Sequence, residues 1–366
     1  MKKIPVGILG ATGMVGQNYI ALLAGHPWFK VNYVAASPRS AGKRYGELTA
    51  GRWLLAKACD PSVSGLLVED ANDLSRAAAA AARGDLAFVF SALEMGKAEI
   101  LALEDSYAAA GIPVVSNASA NRWTDDVPML IAEVNPSHTD IIPSQQAARG
   151  WKKGFIVVKP NCSIQSYMTP VWALLEAGYD VKRMVVTTMQ AVSGAGYPGV
   201  ASLDIVDNVV PYIGGEEEKS ELEPLKILGS VENGRIRKAD APLISAHCNR
   251  VSVINGHTAA VSLEFGAKKA GIEEVKRIWS EFSALPQQLK LPMAPEQPII
   301  VRDEANRPQP NKDRDADKGM AVSVGRLRAC PVFDLRFVGL SHNTVRGAAG
   351  GGILNAELLK AKGYLG

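Results

Sequence analysis

Over the first 116 residues, short apolar runs alternate with amphipathic stretches. Residues 4–9 (Ile-Pro-Val-Gly-Ile-Leu), 30–36, 85–93 (Asp-Leu-Ala-Phe-Val-Phe-Ser-Ala-Leu) and 112–116 read as buried strands. Between them, residues 14–23, an alanine-rich stretch at 74–83 and residues 95–110 read as helices. Strand and helix in strict alternation predict a parallel sheet with right-handed crossovers. Residues 44–70 lack a clear period and are assigned only loosely to strand and loop.

The pattern changes around Pro136 and Pro143, and from Gly150 a second region of strands with longer connections begins. An apolar run at 155–158 leads into Lys159-Pro160-Asn161-Cys162-Ser163-Ile164-Gln165, and a helical pattern follows over 167–177. Strands are expected at 184–190, 321–328 and 334–340, and helices from 214 to about 228 and over 272–285. Asn255-Gly256 between two apolar runs predicts a two-residue hairpin turn, which would put Arg250, Ser252, Ile254 and His257 on one face. Residues 303–318 are charged and without apolar period, as in a mobile surface loop. The segment 341–362 reads as a small-residue helix. Four glycines within it cost about 1 kcal/mol each relative to alanine, so a close neighbour is expected there, and the N-terminal domain is the expected one.

Composition narrows the class. The 366 residues are 47% hydrophobic and 21% charged, as in a soluble globular protein with room for one large domain or two ordinary ones. A net charge of +3 is too small to argue for nucleic acid or a membrane surface. No secretory signal or membrane-length apolar run is evident. Cys59, Cys162, Cys248 and Cys330 are too few and too scattered for a disulfide framework or a zinc site, so no metal is expected. A reducing, cytoplasmic setting follows as the expectation.

Candidate chemistry sits at the joints of this pattern. Gly10-Ala11-Thr12-Gly13-Met14-Val15-Gly16 lies between strand and helix, where backbone N–H groups and the helix dipole meet a pyrophosphate. The next strand ends in Ser37-Pro38-Arg39-Ser40, with no acid to hold a ribose hydroxyl, which favours NADP over NAD. Cys162 is expected near a helix N-terminus, a position that favours the nucleophilic thiolate. Arg122, in a polar loop at a strand end, is a candidate anion binder, and Gln190 closes a β-branched run. The loop Ser193-Gly194-Ala195-Gly196 is flexible enough to fold against a nicotinamide. Glu216, Glu217, Glu218 and Lys219 open a helix, where acids are favoured by the dipole alone. His247 rivals His257 as the titrating imidazole, and Cys248 rivals Cys162 as the nucleophile.

Taken in order, the glycine loop, Pro160-Asn161-Cys162, Ser193-Gly194-Ala195-Gly196, Glu216 to Lys219, Asn249-Arg250, Asn255-Gly256-His257 and residues 343–352 closely resemble the aspartate-semialdehyde dehydrogenases of archaea, fungi and some bacteria. The resemblance spans essentially the whole chain. It implies an α/β fold: a Rossmann-type NADP-binding domain (residues 1–134 plus 342–366) and an α+β catalytic and dimerisation domain with a mixed sheet (135–341). It also implies NADPH-dependent reduction of 4-aspartyl phosphate to the semialdehyde by a homodimer or homotetramer. By position, Cys162 is the implied nucleophile, His257 the acid/base, and Gln190 the residue orienting the thioester carbonyl. Arg250 is the implied clamp on the substrate carboxylate and Glu216 the partner of its amino group, with Lys219, Arg122 and Asn161 also on the substrate. Gly10, Thr12, Gly13, Met14, Val15, Ser37, Arg39, Ser40, Ser193, Gly194 and Asn343 are implied for the cofactor. An acyl-CoA reductase of the same superfamily and an inactive NADP-binding sensor are the alternatives. The Glu216–Lys219 block argues against the first, since an acyl-CoA brings no amino group. Retention of Cys162, Gln190, Arg250 and His257 argues against the second.

Overall fold

A computed structural model describes residues 2–366. Six parallel strands, β1 (Ile4–Leu9), β2 (Phe29–Ala36), β3 (Val68–Asp70), β4 (Phe88–Ser91), β5 (Val114–Ser116) and β6 (Ile156–Val158), form a sheet in the order β3-β2-β1-β4-β5-β6. Side chains along these strands alternate between two cores. Phe88 and Phe90 enter one, with Val6, Ile8 and Val157; Val89 enters the other, with Leu9, Ile156 and Val158. Burial on both faces is why the strands read as nearly unbroken apolar runs.

The second core runs on into the other half of the molecule, where Val186, Val261 and Phe337 join it. There β7 (Val181–Gln190), β10 (Leu243–Arg250), β11 (His257–Phe265), β12 (Ile299–Arg302), β13 (Val322–Ala329) and β14 (Leu335–Ser341) make a mixed sheet in the order β10-β7-β11-β14-β13-β12. A small hairpin, β8 (Ser230–Glu232) with β9 (Arg235–Arg237), stands apart.

Several expectations change. The first sheet continues past residue 134, because β6 pairs with β5 (Ser116 with Val158), so the strand feeding Cys162 belongs to the nucleotide-type sheet. No hairpin joins β10 and β11. Both pair with β7, β10 in parallel and β11 antiparallel, so residues 251–256 cross over the end of β7. The local Asn-Gly signal loses to a strand that ends some sixty residues earlier in the chain. Residues 44–70 hold two short helices, Tyr45–Thr49 and Pro61–Ser64, besides β3.

The charged 303–318 segment is folded around Asp313, which is buried. Its carboxylate accepts hydrogen bonds from Arg307 Nε (2.7 Å) and the Gln309 backbone (2.6 Å). At the C-terminus a π-turn, Val345–Ala349, precedes the helix Gly350–Ala361. Ala349, Ile353, Ala356 and Leu359 enter the first-domain core. The glycines are explained by contact, since a Cβ on Gly352 would lie 2.0 Å from the Tyr19 hydroxyl.

Candidate active site

The loop after β1 is shaped by what it lacks. Gly10 has φ +76°, and a Cβ there would lie 2.3 Å from the Ala92 carbonyl oxygen. Gly13 is the N-cap of the helix Met14–Leu23 and offers it no side-chain cap, and no acid occupies the first turn. The first N–H groups of that helix, beginning at Met14 and Val15, are left for an anion. At the end of β2, Ser37 and Arg39 are exposed and Ser40 is half-buried. The first carboxylate further along the chain is Glu47. The donor set fits a dinucleotide with a 2′-phosphate.

The thiol lies beyond the end of β6. Its loop is held from below: the Asn161 backbone donates to Glu223 Oε2 (2.6 Å), and Arg122 bridges Glu223 Oε1 (2.9 Å) and the Lys159 carbonyl (3.0 Å). Asn161 Oδ1 accepts from the Ser163 backbone (2.8 Å), using the N–H that a helix-terminus argument would have left for sulfur. Cys162 caps a single 3-10 turn, Ser163–Ser166, and the helix proper begins at Met168. The expected depression of its pKa is therefore overturned. Burial pushes the thiol up, as does the Glu216 charge, against the opposing pull of Lys159, Arg122 and Arg250.

His257 Nε2 lies 3.3 Å from Cys162 Sγ, and Nδ1 accepts the Ala191 backbone N–H at 3.0 Å. A backbone N–H can only donate, so Nδ1 carries a lone pair and the proton of the neutral ring resides on Nε2, facing sulfur. Burial, with the positive fields of Arg250, His342 and Lys159, holds the imidazole pKa down at about 3.

Register explains the neighbours. Arg250 lies opposite Gln190, and Thr258 opposite Met189, so Arg250, Gln190 and His257 form one row across the ends of three strands. The faulty hairpin thus placed Arg250 and His257 on one side for the wrong reason. It also included Ser252 and Ile254, which are exposed on the crossover. The 193–196 turn lies directly over this row: a Cβ on Gly194 would be 2.8 Å from Arg250 Nη1 and 3.0 Å from His257 Nε2. Asn343 fastens the turn, donating to Ser193 Oγ (2.8 Å) and accepting from the Gly256 backbone (2.8 Å).

Glu216 is the hub of the polar wall. Its carboxylate accepts from Asn161 Nδ2 (2.9 Å), Gln190 Nε2 (3.0 Å) and Lys219 Nζ (2.8 Å). Asn161 and Gln190 therefore spend their amide nitrogens on Glu216, and Arg122 spends its charge on Glu223. Arg250 is different: it is buried, donates to the Ala191 carbonyl (2.8 Å), and has no carboxylate within 4.0 Å among the described residues. The two rivals fall away, since Cys248 is buried against Ser220 (3.5 Å) and His247 points outward.

Sequence reasoning missed Glu223 and Lys159. A signal existed for the first: Glu216, Ser220 and Glu223 recur at helical spacing on the buried face of the helix Glu216–Ile227, an unusual place for acids.

Two family models match this chain: the semialdehyde dehydrogenase NAD-binding domain over residues 5–142, and the semialdehyde dehydrogenase dimerisation domain over 172–346. An aspartate-semialdehyde dehydrogenase from Methanothermobacter thermautotrophicus is 49% identical over 358 residues, 97% of this chain and 99% of that protein. The chain belongs to the aspartate-semialdehyde dehydrogenase family. Another aspartate-semialdehyde dehydrogenase, from Aspergillus fumigatus, is 46% identical over 369 residues, covering 99% of both chains. The crystal structure of aspartate-semialdehyde dehydrogenase with NADP from Candida albicans superposes with a TM-score of 0.87 at 39% identity, covering 99% of this chain and 100% of that one.

Proposed function

We propose that the protein catalyses the reversible NADPH-dependent reductive dephosphorylation of 4-aspartyl phosphate to aspartate 4-semialdehyde, a step toward lysine, threonine, methionine and isoleucine. The observation that carries this reading is Cys162 Sγ held 3.3 Å from a neutral, Nε2-protonated His257, beside the carboxylate-free Arg250.

The sulfur attacks the acyl phosphate carbon, forming a thioester as the C–O bond to phosphate breaks. Lys219, partly exposed at the rim, meets the departing phosphate, while Arg122, tied to Glu223, contributes only its field. Arg250 takes the α-carboxylate in a planar, permanently charged fork. Glu216 is the carboxylate placed to meet the α-ammonium, which would share it with Lys219. The glycine loop would hold the pyrophosphate, Ser37, Arg39 and Ser40 would hold the 2′-phosphate, and Ser193, Gly194 and Asn343 would serve the nicotinamide end of the cofactor. NADPH, when bound, supplies a hydride to the thioester carbonyl. His257 donates its Nε2–H to the oxygen on which charge develops, in the manner of a neutral imidazole electrophile. As the thiohemiacetal collapses its hydroxyl returns the proton to His257 Nε2, the C–S bond breaks, and the thiolate and the free aldehyde result.

The catalytic unit is a homo-oligomer whose copies meet through the outer face of the mixed sheet. Leu243 on β10 exposes an apolar side chain, as do Leu203, Val206, Val209 and Tyr212 of the segment that bridges the far end of β10 through Val210 and Arg250. No helix among the described residues is long and apolar enough to cross a membrane, and a cytoplasmic location accords with four free thiols.

The test supplies purified protein with aspartate semialdehyde, phosphate and NADP⁺ and follows NADPH absorbance. Phosphate-dependent NADPH formation is expected. No signal, or equal turnover with malonyl-CoA and NADPH, overturns the reading.

A further inference from the structure

One helix is fastened to the chain on both sides of the nucleophile. On the helix Glu216–Ile227, Glu216, Ser220 and Glu223 are all buried, the last completely. Glu216 and Glu223 stand seven residues apart, two turns or about 10 Å along the axis. Asn161, the residue before Cys162, is tied to both. Its Nδ2 donates to Glu216 (2.9 Å) and its backbone N–H to Glu223 Oε2 (2.6 Å). Beyond the thiol, the Tyr167 hydroxyl donates to the Ser220 carbonyl (3.3 Å). That carbonyl is open to it because the residue four places on is Pro224, which has no N–H to give.

Glu223 does more than neutralise Arg122. An ion pair requires one oxygen, and Arg122 Nη1 takes Oε1 (2.9 Å) while its Nε holds the Lys159 carbonyl (3.0 Å). The second oxygen goes to the Asn161 N–H, so the backbone is gripped on either side of Pro160. A carboxylate is expensive to bury, and an apolar side chain would fill the same space without that cost. What the carboxylate adds is a fixed geometry one residue from sulfur.

We propose that Glu223 is a positioning residue for Cys162: together with Glu216 on the same helix face, it fixes the distance between the attacking sulfur and the substrate's amino group.

Glu216 is the carboxylate placed to meet the α-ammonium, and Lys219, one turn on, meets the departing phosphate. The helix thus carries the substrate contacts at its start and the anchor of the nucleophile's loop two turns later. Glu223 accepts from Asn161 and Arg122 and makes no hydrogen bond to Cys162, so it acts through the Asn161 backbone. The groups that hold substrate, Arg250 and Glu216, make no hydrogen bond to it. Slack at Glu223 therefore costs alignment and spares affinity.

This role rests on the proposed reaction, so wild type is the reference in the NADPH assay. Glu223→Gln keeps the length but offers one acceptor oxygen to two donors, and Glu223→Asp keeps the charge but is one methylene short. Both are expected to lower kcat by about 10²-fold, the cost of a small misplacement. The KM for aspartate semialdehyde should stay within about threefold of wild type. Iodoacetamide requires no alignment with a bound substrate, so alkylation of Cys162, followed by peptide mass spectrometry above the thiol's midpoint pH, should not slow. A folded variant of either kind with kcat within about threefold of wild type overturns the role. So does a loss carried by KM, or alkylation that slows in parallel with kcat. If thermal melts show that neither variant folds, Glu223 is a support of the fold and the positioning role falls. An active wild type with active variants removes this role alone, whereas an inactive wild type removes the proposed reaction and the role with it.

Discussion

The nucleotide loop and the thiol pocket are built on opposite plans. Around Gly10 to Gly16 the chain withholds side chains: no cap, no acid in the first turn, nothing competing for the helix N-terminus. Around Cys162 nearly every polar atom is already spoken for, with Glu216 accepting from three side chains and Glu223 from one side chain and one backbone. The cradle leaves its stabilising interactions for the ligand to make. The pocket makes its own in advance, and leaves only Arg250, the thiol and a fixed Nε2–H facing the reactant. A preorganised donor costs no reorganisation at the moment of reaction.

The contrast breaks most severely at sulfur. Cys162→Ala should lower turnover by about 10⁶-fold, as loss of a covalent nucleophile does, with the fold and dinucleotide affinity intact by thermal melt and fluorescence titration. If activity survives within tenfold, the pocket is not the reaction centre. Next comes the one uncommitted cation at its mouth. Arg250→Met should cost about 2–4 kcal/mol in kcat/KM, the penalty for truncating a buried charge partner, measured with aspartate semialdehyde as the varied substrate. An unchanged value would mean that the carboxylate is held elsewhere.

The cradle sharpens the comparison through a change of opposite signs. Gly13→Asp has an ordinary φ of −75° and brings its Cβ only into van der Waals contact with the Gly10 carbonyl oxygen (3.5 Å), and it supplies the missing cap. Stability should rise by about a few tenths of a kcal/mol, readable as a slightly higher Tm. At the same time the KM for NADP⁺ should rise by roughly 30-fold, as a like charge meets the pyrophosphate at close range. A fall in both would show that the loop is merely a turn. The smallest effect is a predicted absence. With the His257 pKa held at about 3, the ring is neutral from pH 5 to 9. Because the folded value lies below the ordinary one, protonation lags far behind the pH at which a free imidazole would charge. The kcat/KM profile should therefore show no acid limb near 6.5 assignable to His257. A limb there that disappears in His257→Asn would refute the donor role.

What the sequence showed follows the same division. The nucleotide loop was legible because its function is local: strand, glycines and helix lie within twenty residues, and the missing acid after β2 is visible as a missing letter. The catalytic row was legible only by resemblance. Arg250, Gln190 and His257 come together through pairing of β10 and β11 with β7, and the Asn255-Gly256 signal pointed to a hairpin that does not exist. The thiol's ionisation was misjudged because burial and the Glu216 charge push it up, while Asn161 intercepts the Ser163 N–H that would have opposed them. That interception depends on a side-chain rotamer, which a spacing argument does not see. Asp313 was hidden for a related reason: a charged segment looks like a solvated loop until its Arg307 and the Arg302 of β12 are found to converge on one buried carboxylate.

The terminal helix has a consequence for how the molecule is made. Gly350–Ala361 supplies Ile353, Ala356 and Leu359 to the core under β1 and β4, and Gly352 admits the Tyr19 hydroxyl. The first sheet therefore cannot complete its packing while the ribosome still holds those last turns. It must wait, partly uncovered, through synthesis of the entire second domain. The nucleotide cradle, translated ahead of the second domain, is thus finished only after it.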